Sequence, residues 1–349
     1  LSFPFRDPKS TSEVTRPLKN EIAVVGESWK VDLVAQALGE VGYNPLRLVT
    51  RSVPRRIPVF LGTGDCYHRA RLLYGESVAR IFWELSFENY RRASLDGEGL
   101  IRHAGNEIEK KWFEETGRIM PQARFEPASG NLYEPGMSFD STEITPVENF
   151  SFRAESNFCY ELDWGKNQTH LATVSTIIFV SEEEVWNLLP AWRDRMIAVT
   201  LSEFVFPKKK QNQGSLFLFN GGADFAVAEG KNWRLGSYRN LYQDKAVGIH
   251  SHSDPATLAG VTAFFSKREW IEPAPPQKVS LTVDAVTCDG LPLVGSLAEH
   301  PGVFVMVGFA GHAANFIFAL APLVAAALAG RATNNNSAAL SLFSPRRFA

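Results

Sequence analysis

The sequence predicts an α/β chain, α+β overall, in which a parallel βαβ part is interrupted by antiparallel strands. Three observations predict it. An apolar run, Ile22-Ala23-Val24-Val25, enters Gly26 and continues as a helical pattern through Ala35 and Leu38 to Gly42. That is the strand–turn–helix opening of a nucleotide-binding unit. From 149 onward the pattern turns to short strands separated by polar turns, the densest block running over 198–238. Finally, 303–307 reads as a strand, followed by a glycine turn and a small-residue apolar helix over 313–329. A chain of 349 residues has material for two lobes, or for one domain with a large insertion.

Composition narrows the function classes. Apolar content of 45% with 21% charged residues is ordinary for a globular chain, and a net charge of -2 gives no reason to expect nucleic acid or an anionic membrane as partner. Cys66, Cys159 and Cys288 are scattered without metal spacing, which suits a reducing compartment and argues against a disulfide scaffold. Residues 1–20 are a polar, proline-bearing lead-in without the apolar stretch of a secretory signal, so a cytoplasmic location is expected.

Taken in order, 22–26 and 46–50 read as parallel strands joined by a helix over 31–41. The Pro- and Arg-rich 51–64 reads as a loop. Leu72, Leu73, Val78, Ile81, Phe82 and Leu85 share one side of a helix over 70–93, and 105–117 reads as a short helix. Gly130, Pro135 and Gly136 break 125–139 into strand–turn–strand. Strands are expected over 150–153, 157–162 and 172–180, then a helix over 182–189 opened by Ser181. The β block comprises 198–206, 215–220, 225–228 and 234–238, with the lysine-rich 207–214 as a solvated hairpin tip. A helix over 255–265 and a proline linker at 273–276 lead to a strand over 279–287. The apolar 303–329 is interrupted by Gly308, Gly311, His312, Asn315 and Pro322, and reads as strand, turn and buried helix instead of a membrane span.

The closing residues carry a resemblance. Thr287-Cys288-Asp289-Gly290-Leu291-Pro292-Leu293-Val294-Gly295, then Gly308-Phe309-Ala310-Gly311-His312, then Phe343-Ser344-Pro345-Arg346-Arg347-Phe348 resemble the C-terminus of the D-amino-acid oxidase/glycine oxidase family of FAD-dependent oxidoreductases. The opening βαβ pattern is in register with the same family. The resemblance implies a discontinuous, Rossmann-like FAD-binding domain with an inserted antiparallel-sheet substrate domain. The implied boundaries are a lead-in at 1–20, the cofactor domain at 21–90, 128–197 and 279–349, and the substrate domain at 91–127 and 198–278. It implies phosphate contacts at Gly26 and Ser28. It also implies a flavin ring held by Gly308, Gly311 and His312 through backbone amides and a helix N-terminus, with Asp289 among the cofactor residues. The implied chemistry is oxidation of a C–N bond of a small amine or amino-acid-like substrate by hydride transfer to flavin, with no dedicated base.

The chain departs from that pattern at several points. In the G-x-G-x-x-G scheme, Ser28 holds the second glycine's place and β-branched Val31 the third. No Asp or Glu lies between Val41 and Gly64 to hold a ribose, while Arg47, Arg51, Arg55 and Arg56 are basic. Where family oxidases often place an arginine, three residues before the Thr of T-x-D-G, this chain has Asp284. A carboxylate there repels a substrate carboxylate and favours a cation. Arg239 is then the best remaining anchor for an acid, with Tyr238, Trp233 and Tyr242 as pocket walls or sheet core.

Other groups have two readings. His250 and His252 could form a metal half-site, but Ser253 or Asp254 beside them suits a helix cap. Gly62-Thr63-Gly64 could cradle an anion or make a turn. Ser28 could donate to a phosphate or cap the helix after it. No His–Asp or Cys–His constellation supports a hydrolase. Two readings stay open: an FAD-dependent amine oxidoreductase, and a flavin-free relative acting as scaffold, binding module or non-catalytic subunit beside a protein partner or a second copy.

Overall fold

The computed structural model describes residues 21–52, 56–93, 99–141, 143–156, 158–166, 170–209, 215–236, 246–331 and 339–348. Its centre is a five-stranded sheet in the order β17-β18-β11-β1-β2. The strands are β1 (Ile22–Glu27), β2 (Leu46–Arg51), β11 (Thr176–Phe179), β17 (Leu293–Ser296) and β18 (Val303–Val307). All neighbours are parallel except the edge pair β17/β18. β1 is buried along its whole length, which is why it reads as an unbroken apolar run.

One face of this sheet is covered by α1 (Ser28–Glu40) and α7 (Ile317–Leu328), which pack on each other, and α7 also meets α3 (Glu76–Ala93). Val31, Val34, Ala35 and Leu38 of α1 follow helical spacing and are buried in one cluster with Ala319, Ala321 and Ala325 of α7. The small residues of α7 allow that close approach. The other face carries the meander β8 (Ser151–Ser156), β9 (Cys159–Trp164) and β10 (His170–Val174), whose Tyr160, Leu162 and Val174 pack with Ile177 and Phe179.

The second sheet has eight strands in the order β16-β12-β15-β14-β13-β4-β6-β5. They are β4 (Leu100–His103), β5 (Arg124–Glu126), β6 (Asn131–Glu134), β12 (Met196–Pro207), β13 (Leu216–Phe219), β14 (Asp224–Glu229), β15 (Asn232–Gly236) and β16 (Lys278–Thr287). Every pairing is antiparallel except β13 with β4. Against it packs α6 (Pro255–Lys267), and the shared core is aromatic, with Trp233 and Trp270 4.9 Å apart and Phe217 4.7 Å from Trp270.

Several expectations are corrected. The strand expected over 279–287, inside the implied cofactor domain, is β16, which runs antiparallel to β12 from Met196↔Thr287 to Val205↔Lys278 and completes the eight-stranded sheet. The stretch 51–64 is not all loop. It holds β3 (Arg56–Phe60), which pairs with β7 (Gly136–Asp140). The helix expected over 70–93 is two, α2 (Tyr67–Tyr74) and α3, parted by Gly75 at φ +83°. The expected 105–117 helix is α4 (Glu107–Ile119), capped by the Asn106 side chain. α5 (Glu182–Leu188) follows Ser181 at its N-cap, without a cap bond from that side chain. No helix among the described residues is long and apolar enough to cross a membrane.

A buried arginine ties the large sheet to the 61–64 turn. Arg102 pairs with Glu134 at 2.5 Å with both side chains buried, and its guanidinium also donates to the carbonyls of Leu61, Thr63 and Gly64. Burial raises the pKa of Glu134 and Arg102 opposes that. Replacing Arg102 by Met leaves a buried carboxylate alone and three carbonyls undonated. Urea unfolding should show a loss of about 3–5 kcal/mol, and a loss under about 1 kcal/mol would refute this role.

Candidate functional site

In open α/β sheets, ligands enter at the carboxyl ends of the strands, where the strand order reverses. Here that point lies between β1 and β11. β1 ends in Gly26-Glu27, and at Gly26, with φ +143°, an added Cβ would stand 2.9 Å from Ser181 N, Ser181 Cβ and Val180 Cγ2. Glycine is required because the two strand ends touch.

The next residues are buried and charged. Glu27 is the N-cap of α1, extended at φ -71° and ψ 133°, with no side-chain cap bond. Ser28 is the first helical residue, and its Oγ is buried without a hydrogen-bond partner among the described residues. The capping reading of Ser28 is thereby corrected: the hydroxyl lies inside the helix, past the cap position. Val31, at the third glycine's place, is fully buried in the sheet–helix core.

Lys30 turns back over the strand ends with its side chain 5% exposed. Its Nζ lies 3.2 Å from Glu27 Oε2 and 3.9 Å from Glu182 Oε2. Glu182 stands just beyond β11, and its Oε1 accepts the Gly308 N–H at 3.2 Å. One cluster thus spans the ends of β1, β11 and β18. Asp284, buried on β16, adds a third carboxylate whose field acts on both Lys30 and Glu182. Beside it, Glu184 accepts from the Thr50 hydroxyl.

Burial dominates the titration of these groups. It pushes the Glu182 carboxyl up to about 7; Lys30 works against the rise and Asp284 adds to it. Burial pulls the Lys30 ammonium down, but Glu182, Glu27 and Asp284 together more than offset it, so its pKa lies above the usual 10.5.

The glycine turn lies on the far side of the cluster. Gly308, Ala310 and Gly311 have φ of +75°, +54° and +86°. Of the amides that the resemblance places at the ring, those of Gly308 and His312 are already bonded within the chain. Gly308 N–H goes to Glu182, Ala310 N–H to Ala285 O and His312 N–H to Phe309 O. His312 Nε2 accepts the Gly64 N–H at 3.2 Å, and its ring lies edge-on to Phe60 at 5.8 Å. A short 3-10 turn at Ala313–Asn315 separates this turn from α7, so no α-helix begins at His312.

Glu27, Lys30, Asp284, Gly311 and His312 all line one cleft between the two sheets. Its cavity is about 70 Å³, against roughly 300–1,000 Å³ for ordinary ligand pockets. A dinucleotide does not fit this arrangement. Its diphosphate is anionic, and the strand ends here already carry Glu27, Glu182 and Asp284 around Lys30.

The other predicted residues are placed as follows. Asp289 does not line the cleft; it takes Arg347 at 2.6 and 3.1 Å and anchors the C-terminal segment. Tyr238, Arg239 and Tyr242 lie outside the described residues, as does Arg55. Trp233 is sheet core. Arg47 pairs with Asp32, and Arg51 donates to Val283 O. Asp254 caps α6 by accepting from Ala256 N at 2.8 Å, and no cluster of His, Cys, Asp and Glu among the described residues is arranged for a metal. The amides of Gly62 and Gly64 bond Ser86 and His312, as a turn requires. Sequence reasoning missed Glu27, Lys30 and Glu182. The available signal was charge directly after two apolar strand runs.

Comparison with known proteins places this geometry. The chain is similar in structure to a glycine oxidase from Geobacillus kaustophilus, at 14% identity and TM-score 0.60 over 90% of this chain and 95% of that one. It is also similar to an L-proline dehydrogenase from P. horikoshii, at 16% and 0.62 over 95% and 98%. An iminodiacetate oxidase from Chelativorans sp. BNC1 matches at 11% and 0.63 over 93% and 98%. No family model and no curated protein matches the sequence. The fold is that of the D-amino-acid oxidase/glycine oxidase type, and at these identities the likeness speaks for the fold alone.

The Glu182 carboxyl has a measurable consequence. Its folded pKa of about 7 exceeds the ordinary 4.5, so the native chain holds this proton more tightly than the unfolded chain. Its contribution to stability therefore falls as pH rises from about 4.5 to about 7. Urea unfolding at about pH 5 and about pH 8 should show this loss in the wild type and a smaller one in Glu182→Gln. Equal slopes in both would rule the assignment out.

Proposed function

We propose that the chain is a flavin-free relative built on the amine-oxidoreductase fold, and that it works as a binding module. The observation that carries this reading is the buried Glu27–Lys30–Glu182 cluster across the strand ends where a dinucleotide would enter. Val31 adds to it by filling the helix–strand contact, and Asp284 by setting a carboxylate where a substrate acid would need a cation.

The binding role is supported by a second cavity, of about 540 Å³, on the outer side of the Gly64–His312 contact. Tyr74, Phe82, Val199, Phe309 and Phe316 form apolar walls, and the Asp65–Arg69 ion pair at 3.0 Å supplies a polar edge. That size and lining suit a small, largely apolar molecule. A protein partner or second copy remains the proposed companion of a non-catalytic subunit.

One feature favours the other reading, FAD-dependent oxidation of a C–N bond. The turn at Gly308–His312 is retained, and Gly311 and His312 face the cleft. The bonded amides of Gly308 and His312 weigh against it.

A visible spectrum of purified, untagged protein, with heat-released flavin quantified, separates the two. The expected protein is colourless and gains no flavin absorbance when FAD is added and the excess removed. About one flavin per chain would overturn the binding-module reading, and the next step would be a screen for amines that reduce it.

A further inference from the structure

We infer that Glu27 and Glu182 are this chain's internal substitute for a diphosphate, and that they are what keeps a dinucleotide out. The inference rests on the flavin-free reading and names the residues responsible for it.

The donor set of a diphosphate site is present. α1 is a 13-residue helix, so its first amides carry partial positive charge toward the cleft. Lys30 brings an ammonium, and Gly308 brings a backbone N–H from the opposite strand end. Ser28 brings a hydroxyl that is 1% exposed and has no hydrogen-bond partner among the described residues.

The acceptors are supplied from within. Glu27 takes Lys30 at 3.2 Å, while Glu182 takes the Gly308 amide and stands 3.9 Å from the same ammonium. Two carboxyl groups on separate strand ends present acceptor oxygens to the donors that a diphosphate diester would use. They also share the cation that a diphosphate would need. An external diphosphate must therefore displace both carboxylates within a buried space already bordered by Asp284.

The unpartnered Ser28 hydroxyl marks the imperfection of the substitute. The internal carboxylates satisfy Lys30 and Gly308 but leave this donor unused, which costs free energy in the folded chain. Removing the carboxylates should return the remaining donors to an outside anion.

The test compares wild type, E182Q and the double variant E27A/E182G, titrated calorimetrically with inorganic pyrophosphate, ADP and FAD, with circular dichroism as the check on folding. The double variant should bind pyrophosphate at least about tenfold more tightly than wild type. Its melting temperature should rise with ligand concentration. E182Q, which keeps the volume and removes one charge, should shift the same way by less. Adding Lys30→Met to the double variant should abolish the gain.

A folded double variant with no gain overturns the inference and leaves the flavin-free reading standing. Pyrophosphate binding by wild type as tight as by the variant also overturns it, because the carboxylates would then exclude nothing. Stoichiometric FAD on the wild type overturns the flavin-free reading itself. Should the double variant not fold, E182Q decides: no gain there overturns the inference.

Discussion

An ammonium buried at the junction of three strand ends governs the arrangement around it. Lys30 cannot leave for solvent, because its stem is packed at the start of α1 with its side chain 5% exposed. An isolated charge there would cost several kcal/mol, so carboxylates must come to it. Glu27 comes from its own turn and Glu182 from the neighbouring strand end. Glu182 then accepts the Gly308 amide, which pins the glycine turn to β11. Side-chain electrostatics thereby add to the backbone pairing of β1, β11 and β18 at their carboxyl ends.

The fold was legible wherever local pattern and burial agree. The apolar run of β1, the helical spacing of α1 and the apolar residues of β18 and α7 each show their environment in one window of sequence. Pairing choices were less legible. β16 reads as a strand, but nothing within it says that ten residues will align with β12 instead of joining the parallel sheet. β3 was hidden because Arg56 and Pro58 interrupt its apolar residues, and its partner β7 lies some eighty residues on.

The candidate site was legible as a set of losses and opaque as a set of gains. Ser28, Val31 and Asp284 stand out because a motif specifies what those positions should hold. Glu27, Lys30 and Glu182 match no motif, and a charged residue after a strand ordinarily reads as a solvated turn. Only the parallel pairing of β1 with β11 brings Glu182 to Lys30 across about 150 positions. Their burial reverses the ordinary reading, since charged side chains are seldom buried unless paired.

The retained glycines have a physical cause that needs no cofactor. Gly26 is held by the contact of β1 with β11, since a Cβ would strike Ser181 and Val180. Gly308 sits at φ +75°, and its Cβ would come within 2.8 Å of Thr287 Cγ2 on β16. Gly311 combines φ +86° with a 3.2 Å approach to Leu201. Gly26 is required within the parallel sheet, and Gly308 and Gly311 where the two sheets close on one another, so each would persist without a ligand. Ser28 and Val31 are different, because α1 accommodates both as buried side chains. The glycines kept are those that the backbone packing requires, while Ser28 and Val31 depart from the G-x-G-x-x-G scheme.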